Sequence, residues 1–304
     1  MFDLPRHFQK PQPLQQGDRL TVVSTSGSLR EREDFDRGVD LWRSWGYEIT
    51  FSEGYENQAG YLAGTDQERR SSLLQAWNDP NCRGILCSRG GYGSARLLED
   101  WHWPDSDPKW LLGFSDVTGI LWSLAKTGIE SLHGPVLTTL ADEPEWAQSR
   151  LRNYLSGKPL DPLQGKGWGG GKVQGRLVVA NLTVATHLLG TPWQPNFQNV
   201  ILAIEDVTEA PYRIDRMLTQ WQSAGCLSQL AGIALGRFSR CEAPAGFPSW
   251  TVEEVLGDRL QDLNIPIVAD LPFGHDGANA VLPVGGWVEL DGDRGTLTCL
   301  TLTV

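Results

Sequence analysis

The chain has 304 residues, enough for two domains, with 40% hydrophobic and 21% charged residues, the balance of a globular protein. A formal net charge of -11, with the basic residues scattered, argues against nucleic acid as a partner. No apolar run reaches the roughly 18 residues that span a bilayer. The N-terminal stretch MFDLPRHFQKPQPLQQGD has no apolar signal core, so no membrane is expected and the expected compartment is the cytoplasm. In chain order, residues 20–24 (LTVVS) predict a strand and 31–45 a helix stopped by Gly46. Residues 47–51 are β-prone, and 66–77 predict a helix capped by Thr65 or Asp66 and closed by Asp79-Pro80. Residues 84–88 (GILCS) predict a buried strand, a helix starts at 94–99, 110–114 predict a strand and 116–126 a helix. This strand–helix repeat predicts an N-terminal α/β domain with a parallel sheet over residues 1–160.

The segment 156–172 (SGKPLDPLQGKGWGGGK) is rich in glycine and proline and reads as a linker or mobile loop. Beyond it, β-prone pieces at 174–179, 200–204, 233–235, 267–269 and 286–304 predict a β-rich C-terminal domain over 173–304. Its last stretch reads as a hairpin turning at 291–295. The five cysteines show no disulfide framework, and Cys82 with Cys87 lacks the second pair that a zinc site needs.

Two patterns at strand ends carry candidate chemistry. In Gly113-Phe114-Ser115-Asp116 a serine stands between the apolar run WLLGF and a helix. There it is lifted above the carboxyl edge of the sheet, and the next backbone N–H groups lie at a helix N-terminus suited to an oxyanion. The G-x-S-x-G pattern of α/β-hydrolases is not met, because Val117 replaces its last glycine, and a helix cap by Ser115 or Asp116 is the plainer reading of the tetrapeptide. The loop Arg89-Gly90-Gly91-Tyr92-Gly93-Ser94 also follows a strand, and its glycines let backbone approach a ligand. Its match to a dinucleotide fingerprint fails at Arg96. A formal match at 165–170 has no strand before it, and neither is read as a cofactor site.

A general base for a serine comes from His7, His102, His133, His187 or His275, unless a lysine serves. His7 lies in a polar tail and His102 in a loop, while His187 in TVATHLLG reads as a core residue. His275, in the loop PFGHDG, leads, and His133 in LHGP follows. The carboxylate that would orient the imidazole is sought at the end of the strand 200–204, among Glu205, Asp206 and Glu209. The residues alone do not choose among them, and all three read equally as solvated loop charges. Arg213 and Arg216 would suit a substrate carboxylate, or an ion-paired surface around Asp215. Most of the 13 tryptophans read as core, but Trp168 in the glycine-rich segment would suit stacking on a flat ligand.

Taken together, GYLAGTDQERRSSLLQAWNDP (60–80), RGGYGSARLLE (89–99), LLGFSDVTGIL (111–121), LHGPV (132–136), ILAIEDVTEAPYRIDRMLTQW (201–221) and PFGHDGANAVLPVG (272–285) resemble the LD-carboxypeptidase family of serine peptidases, whose members include the microcin C immunity peptidases. The resemblance runs along nearly the whole chain. It implies a catalytic triad of Ser115, Glu205 and His275, with Glu209 as rival acid, and an oxyanion hole from the backbone N–H of Gly91, or its neighbour, and Asp116. Arg89, Tyr92 and Arg213 would touch substrate. It implies a glutamine-amidotransferase-like N-terminal α/β domain carrying the serine and a β-rich C-terminal domain carrying the acid and histidine. It also implies a homodimer that needs no metal or organic cofactor. The implied reaction removes the terminal D-alanine from murein tetrapeptide in cell-wall (peptidoglycan) recycling, by acyl transfer through Ser115. Alternatives are an immunity-type hydrolase of peptidyl nucleotides and a non-catalytic binding module on the same scaffold. The chain departs from the family where its first strand runs into Val23-Ser24-Thr25-Ser26-Gly27. It departs again where Val179-Ala180-Asn181 stands for a glycine-glycine-asparagine segment.

Overall fold

The computed structural model describes residues 1–246 and 248–300; the last four residues of the expected C-terminal strand, 301–304, lie outside the described residues. The chain forms two compact units. One comprises Leu4–Pro159 with Ala280–Gly285; the other comprises Met1–Asp3, Leu160–Asn279 and the chain from Gly286.

In the first unit, β1 (Arg19–Val23), β2 (Glu48–Phe51), β3 (Cys82–Cys87), β4 (Trp110–Gly113) and β5 (Ser131–His133) form a parallel sheet in the order β2-β1-β3-β4-β5. The segment Leu282–Val284 adds an antiparallel edge on β5. Its inner strands are near-continuous apolar runs because helices cover both faces. Helix α1 (Arg32–Ser44) buries Phe35, Val39 and Trp42. Helix α2 (Asp66–Asn78) opens on a capping box, with the Thr65 hydroxyl accepting from Glu68 N–H and the Glu68 carboxylate accepting from Thr65 N–H. The strand order reverses between β1 and β3, the kind of point at whose carboxyl edge open α/β sheets bind ligands, and there the Gly27 N–H donates to the Gly90 carbonyl at 3.2 Å. Helix α3 (Thr118–Lys126) follows β4, and α4 (Leu137–Leu140) and α5 (Glu145–Leu155) follow β5. The helix expected from residue 94 is a 3-10 segment, Ser94–Leu98. The Ser94 N–H and hydroxyl are both bound by Asp116, which ties the segment's first residue away from a regular helix start.

The second unit is built on a mixed eight-stranded sheet. The chain passes from one unit to the other inside the segment 156–172, at Pro159–Leu160, and the rest of the segment is not a loose loop. It holds β6 (Leu163–Gln164) and β7 (Lys166–Gly167), and from Leu160 onward it belongs to this unit. Next come β8 (Lys172–Asn181), α6 (Leu182–Leu188), β9 (Val200–Val207), α7 (Pro211–Ser223), β10 (Gly232–Ser239), α8 (Val252–Leu260) and β11 (Ile267–Ala269). Leu282–Val284, already placed in the first sheet, is β12, and the hairpin β13 (Trp287–Asp291) and β14 (Thr296–Cys299) follows. Strands β8 to β11 are parallel neighbours, β13 lies antiparallel on β8, and β14 on β13. The two short strands sit at opposite ends of this order, β6 on β14 and β7 on β11. Only Gly165 separates them, so this segment joins the two edges and closes the sheet on itself. Glycine is required there, since a Cβ on Gly165 would lie 2.3 Å from the Ala269 carbonyl oxygen. Among the described residues no helix is long and apolar enough to cross a membrane.

Candidate active site

The first unit carries the candidate serine. Ser115 follows β4 with φ 61, a left-handed conformation that a non-glycine residue adopts at an energetic cost of about 1–3 kcal/mol, and such strain concentrates at functional turns. Its carbonyl accepts from the Thr118 hydroxyl at 2.8 Å, and it starts the 3-10 turn Ser115–Val117 that leads into α3. The glycine loop after β3 lies against it. A Cβ on Gly90 would stand 3.2 Å from Ser115 Cβ and 3.3 Å from its Oγ, so a side chain there would press on the hydroxyl. The Gly93–Ser94 peptide is gripped on both sides. Its carbonyl accepts from the buried Arg69 guanidinium at 2.9 Å, and its N–H donates to Asp116 Oδ2 at 2.8 Å. Asp116 thus has its carboxylate bound by Ser94 N–H and its carbonyl by the Ser94 hydroxyl, which orients the backbone directly after Ser115. Cys87, at the end of β3, is no rival nucleophile, since burial pushes its thiol up to about 12.

The second unit carries the candidate acid and histidine, which meet within it. Glu205, fully buried near the end of β9, accepts from His275 Nδ1 at 2.6 Å through Oε2, while the imidazole is 14% exposed. With the proton on Nδ1, Nε2 bears the lone pair and is the basic nitrogen. The adjoining Gly274 N–H donates to Asn279 Oδ1 at 3.2 Å and steadies the loop. Glu209 instead pairs with Arg213 at 3.4 Å, one helical turn on. Asn181, opposite Glu205 in the parallel register, donates to Glu205 Oε1 at 3.3 Å. Asp206, singled out above only as one of three acids at a strand end, is 1% exposed. Burial pushes its carboxyl up to about 6, against hydrogen bonds from Val207, Thr183 and Asn181 that favour its charged form.

The Arg89 guanidinium is held by both oxygens of Glu31 at 3.2 Å and by the Ser28 carbonyl at 2.9 Å, which ties the glycine loop to the loop after β1. Tyr92 is 53% exposed, with its ring 5.8 Å from that of Tyr61. Arg213 is engaged by Glu209, and Asp215 pairs with Arg259 of α8 rather than with its arginine neighbours. His133 ends β5, fully buried, with its ring against Phe114. His187 is not a core residue, because it lies on the exposed face of α6 and its ring bonds the Thr183 carbonyl. Trp168 lines a cleft of about 320 Å³ with Arg237, Arg240, Glu253 and Asp276. Sequence reasoning gave no part to Arg69, which holds the Gly93 carbonyl, or to Asn181, which bonds both Glu205 and Asp206. Arg69 sits within the quoted block 60–80, and its place on a buried helix face was the one available signal.

One unit carries a strained serine at the carboxyl edge of a doubly wound sheet, and the other carries a buried glutamate–histidine pair. Comparison with known proteins gives the family. Residues 20–134 match the LD-carboxypeptidase N-terminal domain and residues 174–290 the LD-carboxypeptidase C-terminal domain, so the chain belongs to the LD-carboxypeptidase family. A protein of Synechocystis sp., provisionally named a carboxypeptidase, is 74% identical over 99% of this chain and 100% of its own length. The murein tetrapeptide carboxypeptidase of Pseudomonas aeruginosa is 32% identical over 77% of this chain and 80% of its own. Among solved structures, the muramoyltetrapeptide carboxypeptidase from Oxalobacter formigenes is 29% identical with a TM-score of 0.82, over 92% of this chain and 97% of that one. The microcin C7 self-immunity protein MccF shares the fold at 23% identity, with a TM-score of 0.86 over 97% of this chain and 99% of its own.

Proposed function

We propose that the protein is a serine carboxypeptidase that hydrolyses an L,D peptide bond, releasing the terminal D-alanine of murein tetrapeptide in cytoplasmic cell-wall recycling. The observation that carries this reading is the 2.6 Å bond between His275 Nδ1 and the buried Glu205, in a chain of the LD-carboxypeptidase family. Ser115 Oγ attacks the carbonyl carbon of the scissile bond as His275 Nε2 takes its proton. Glu205 holds the tautomer and stabilises the imidazolium. The backbone N–H groups of Asp116 and of Gly91 or Gly90 receive the oxyanion. His275 then protonates the leaving amine, D-alanine departs, and water, activated by the same imidazole, hydrolyses the Ser115 ester. Tyr92 is the substrate contact we favour, while Arg89 organises the glycine loop.

The test is release of D-alanine from murein tetrapeptide by the purified chain, with Ser115→Ala beside it. Release by the wild type and a fall of about three or more powers of ten in the variant is expected. No release by a folded wild type sinks the murein reading. Labelling of Ser115 by a serine-reactive probe separates an enzyme from a non-catalytic binding module. A second reading, hydrolysis of a peptidyl nucleotide, is supported by the indole of Trp168 in an open cleft with two arginines. Competition between tetrapeptide and nucleotide-linked peptide decides between the two. The homodimer implied by the resemblance is tested by sedimentation.

A further inference from the structure

The hydrolysis as proposed gives no role to the second buried carboxylate, Asp206, and four donors converge on it. Val207 N–H at 2.8 Å and Asn181 Nδ2 at 3.0 Å reach Oδ1; Thr183 N–H at 2.9 Å and the Thr183 hydroxyl at 2.8 Å reach Oδ2. So many donors fix a carboxylate in position and favour its ionised form. Seating it directly beside buried Glu205 opposes that form, so two adjacent buried acids are a costly arrangement for packing alone.

Asn181 links the two acids. Its Oδ1 accepts from Val184 N–H at 3.1 Å, and since a backbone N–H only donates, the amide is oriented with its NH₂ toward the carboxylates. That NH₂ spans Asp206 Oδ1 at 3.0 Å and Glu205 Oε1 at 3.3 Å. With Oε1 held in this way, Oε2 is the oxygen that meets His275 at 2.6 Å. We propose that Asp206 is a positioning residue: through the Asn181 amide it sets the rotation of the Glu205 carboxylate, and so the aim of His275. The proposal rests on the reading of Glu205 and His275 as the acid–base pair. Its structural rival is that Asp206 serves only to cap the start of α6 through Thr183.

The test compares wild type, His275→Ala and Asp206→Asn as full-length protein, for D-alanine release from murein tetrapeptide and for the His275 Nδ1 proton by NMR on histidine-labelled samples. In Asp206→Asn, kcat is expected to fall roughly 10- to 100-fold, with KM within about twofold. The downfield Nδ1 proton resonance is expected to shift or broaden although the chain is folded. An unchanged kcat and an unchanged resonance in folded Asp206→Asn overturn the proposal and leave the capping role. If that variant does not fold, Thr183→Val, which removes one hydroxyl donor to Asp206, carries the test. A shifted resonance with kcat lowered by roughly 2- to 5-fold supports the proposal, and wild-type values for both overturn it. If wild type and His275→Ala are equally inactive on tetrapeptide, it is the catalytic reading that fails, and the resonance alone then decides whether Asp206 sets the Glu205–His275 contact.

Discussion

Two glycine-rich segments, residues 89–94 and 165–171, look alike as sequence and do different work. In the first, the missing side chain of Gly90 leaves room for another residue's side chain, the strained Ser115 at 3.2 Å. In the second, the missing side chain of Gly165 leaves room for backbone, the Ala269 carbonyl oxygen at 2.3 Å from where its Cβ would stand. Glycine density therefore marks close approach without saying what approaches. In the first segment the neighbour at Gly90 is the side chain of the proposed nucleophile; in the second it is main chain, and the segment belongs to the framework.

This contrast can be broken by substitution. Gly165→Ala should give the largest effect. Two backbones must separate, at roughly 2–4 kcal/mol, lowering Tm by about 5–10 °C, while kcat of the molecules still folded at 25 °C stays within about twofold. Thermal denaturation beside an activity assay reads both. Next is Arg69→Leu, which strips donors from the Thr25 and Gly93 carbonyls in a buried setting. It should lower stability by about 2–3 kcal/mol and kcat by roughly tenfold, since the Gly93–Ser94 peptide also holds Asp116. This is the one place where the first segment is expected to behave as framework. Gly90→Ala should leave Tm within about 2 °C but lower kcat roughly tenfold, as the new methyl displaces Ser115. A Gly90→Ala protein with intact kcat and a Tm loss like that of Gly165→Ala would erase the distinction. The smallest effect is expected for Lys166→Ala. Its ion pair with Asp270 at 2.8 Å is solvent-exposed, so Tm should move by less than about 2 °C, leaving the closure to the main chain.

The parallel strands of the first unit were legible because burial on both faces forces apolar runs such as LTVV and WLLG, whose length and flanking turns fix the assignment. The closing strands β6 and β7 were not legible. A strand of two residues has no period, and the glycines that permit its approach carry no side chain to show a face. Of the site, the turn at Ser115 and the loop of His275 stood out by their place after strands and between glycines. The choice of Glu205 over Glu209 came from the resemblance, since both acids follow the same apolar run, and only the tertiary structure shows which one reaches the imidazole. Asp206 stayed hidden because its partners, Asn181 and Thr183, are distant in sequence and meet it only through the pairing of β8 with β9.

The edge strand Leu282–Val284 gives the first sheet a dependence on time. Its partner β5 is made about 150 residues before the strand that covers that edge. At about 5–20 residues per second, the exposed edge waits on the order of ten seconds during synthesis. Nascent chains halted before residue 282 should therefore carry an uncovered β5 edge open to foreign pairing, and a gene fragment ending at Pro159 would make that state permanent.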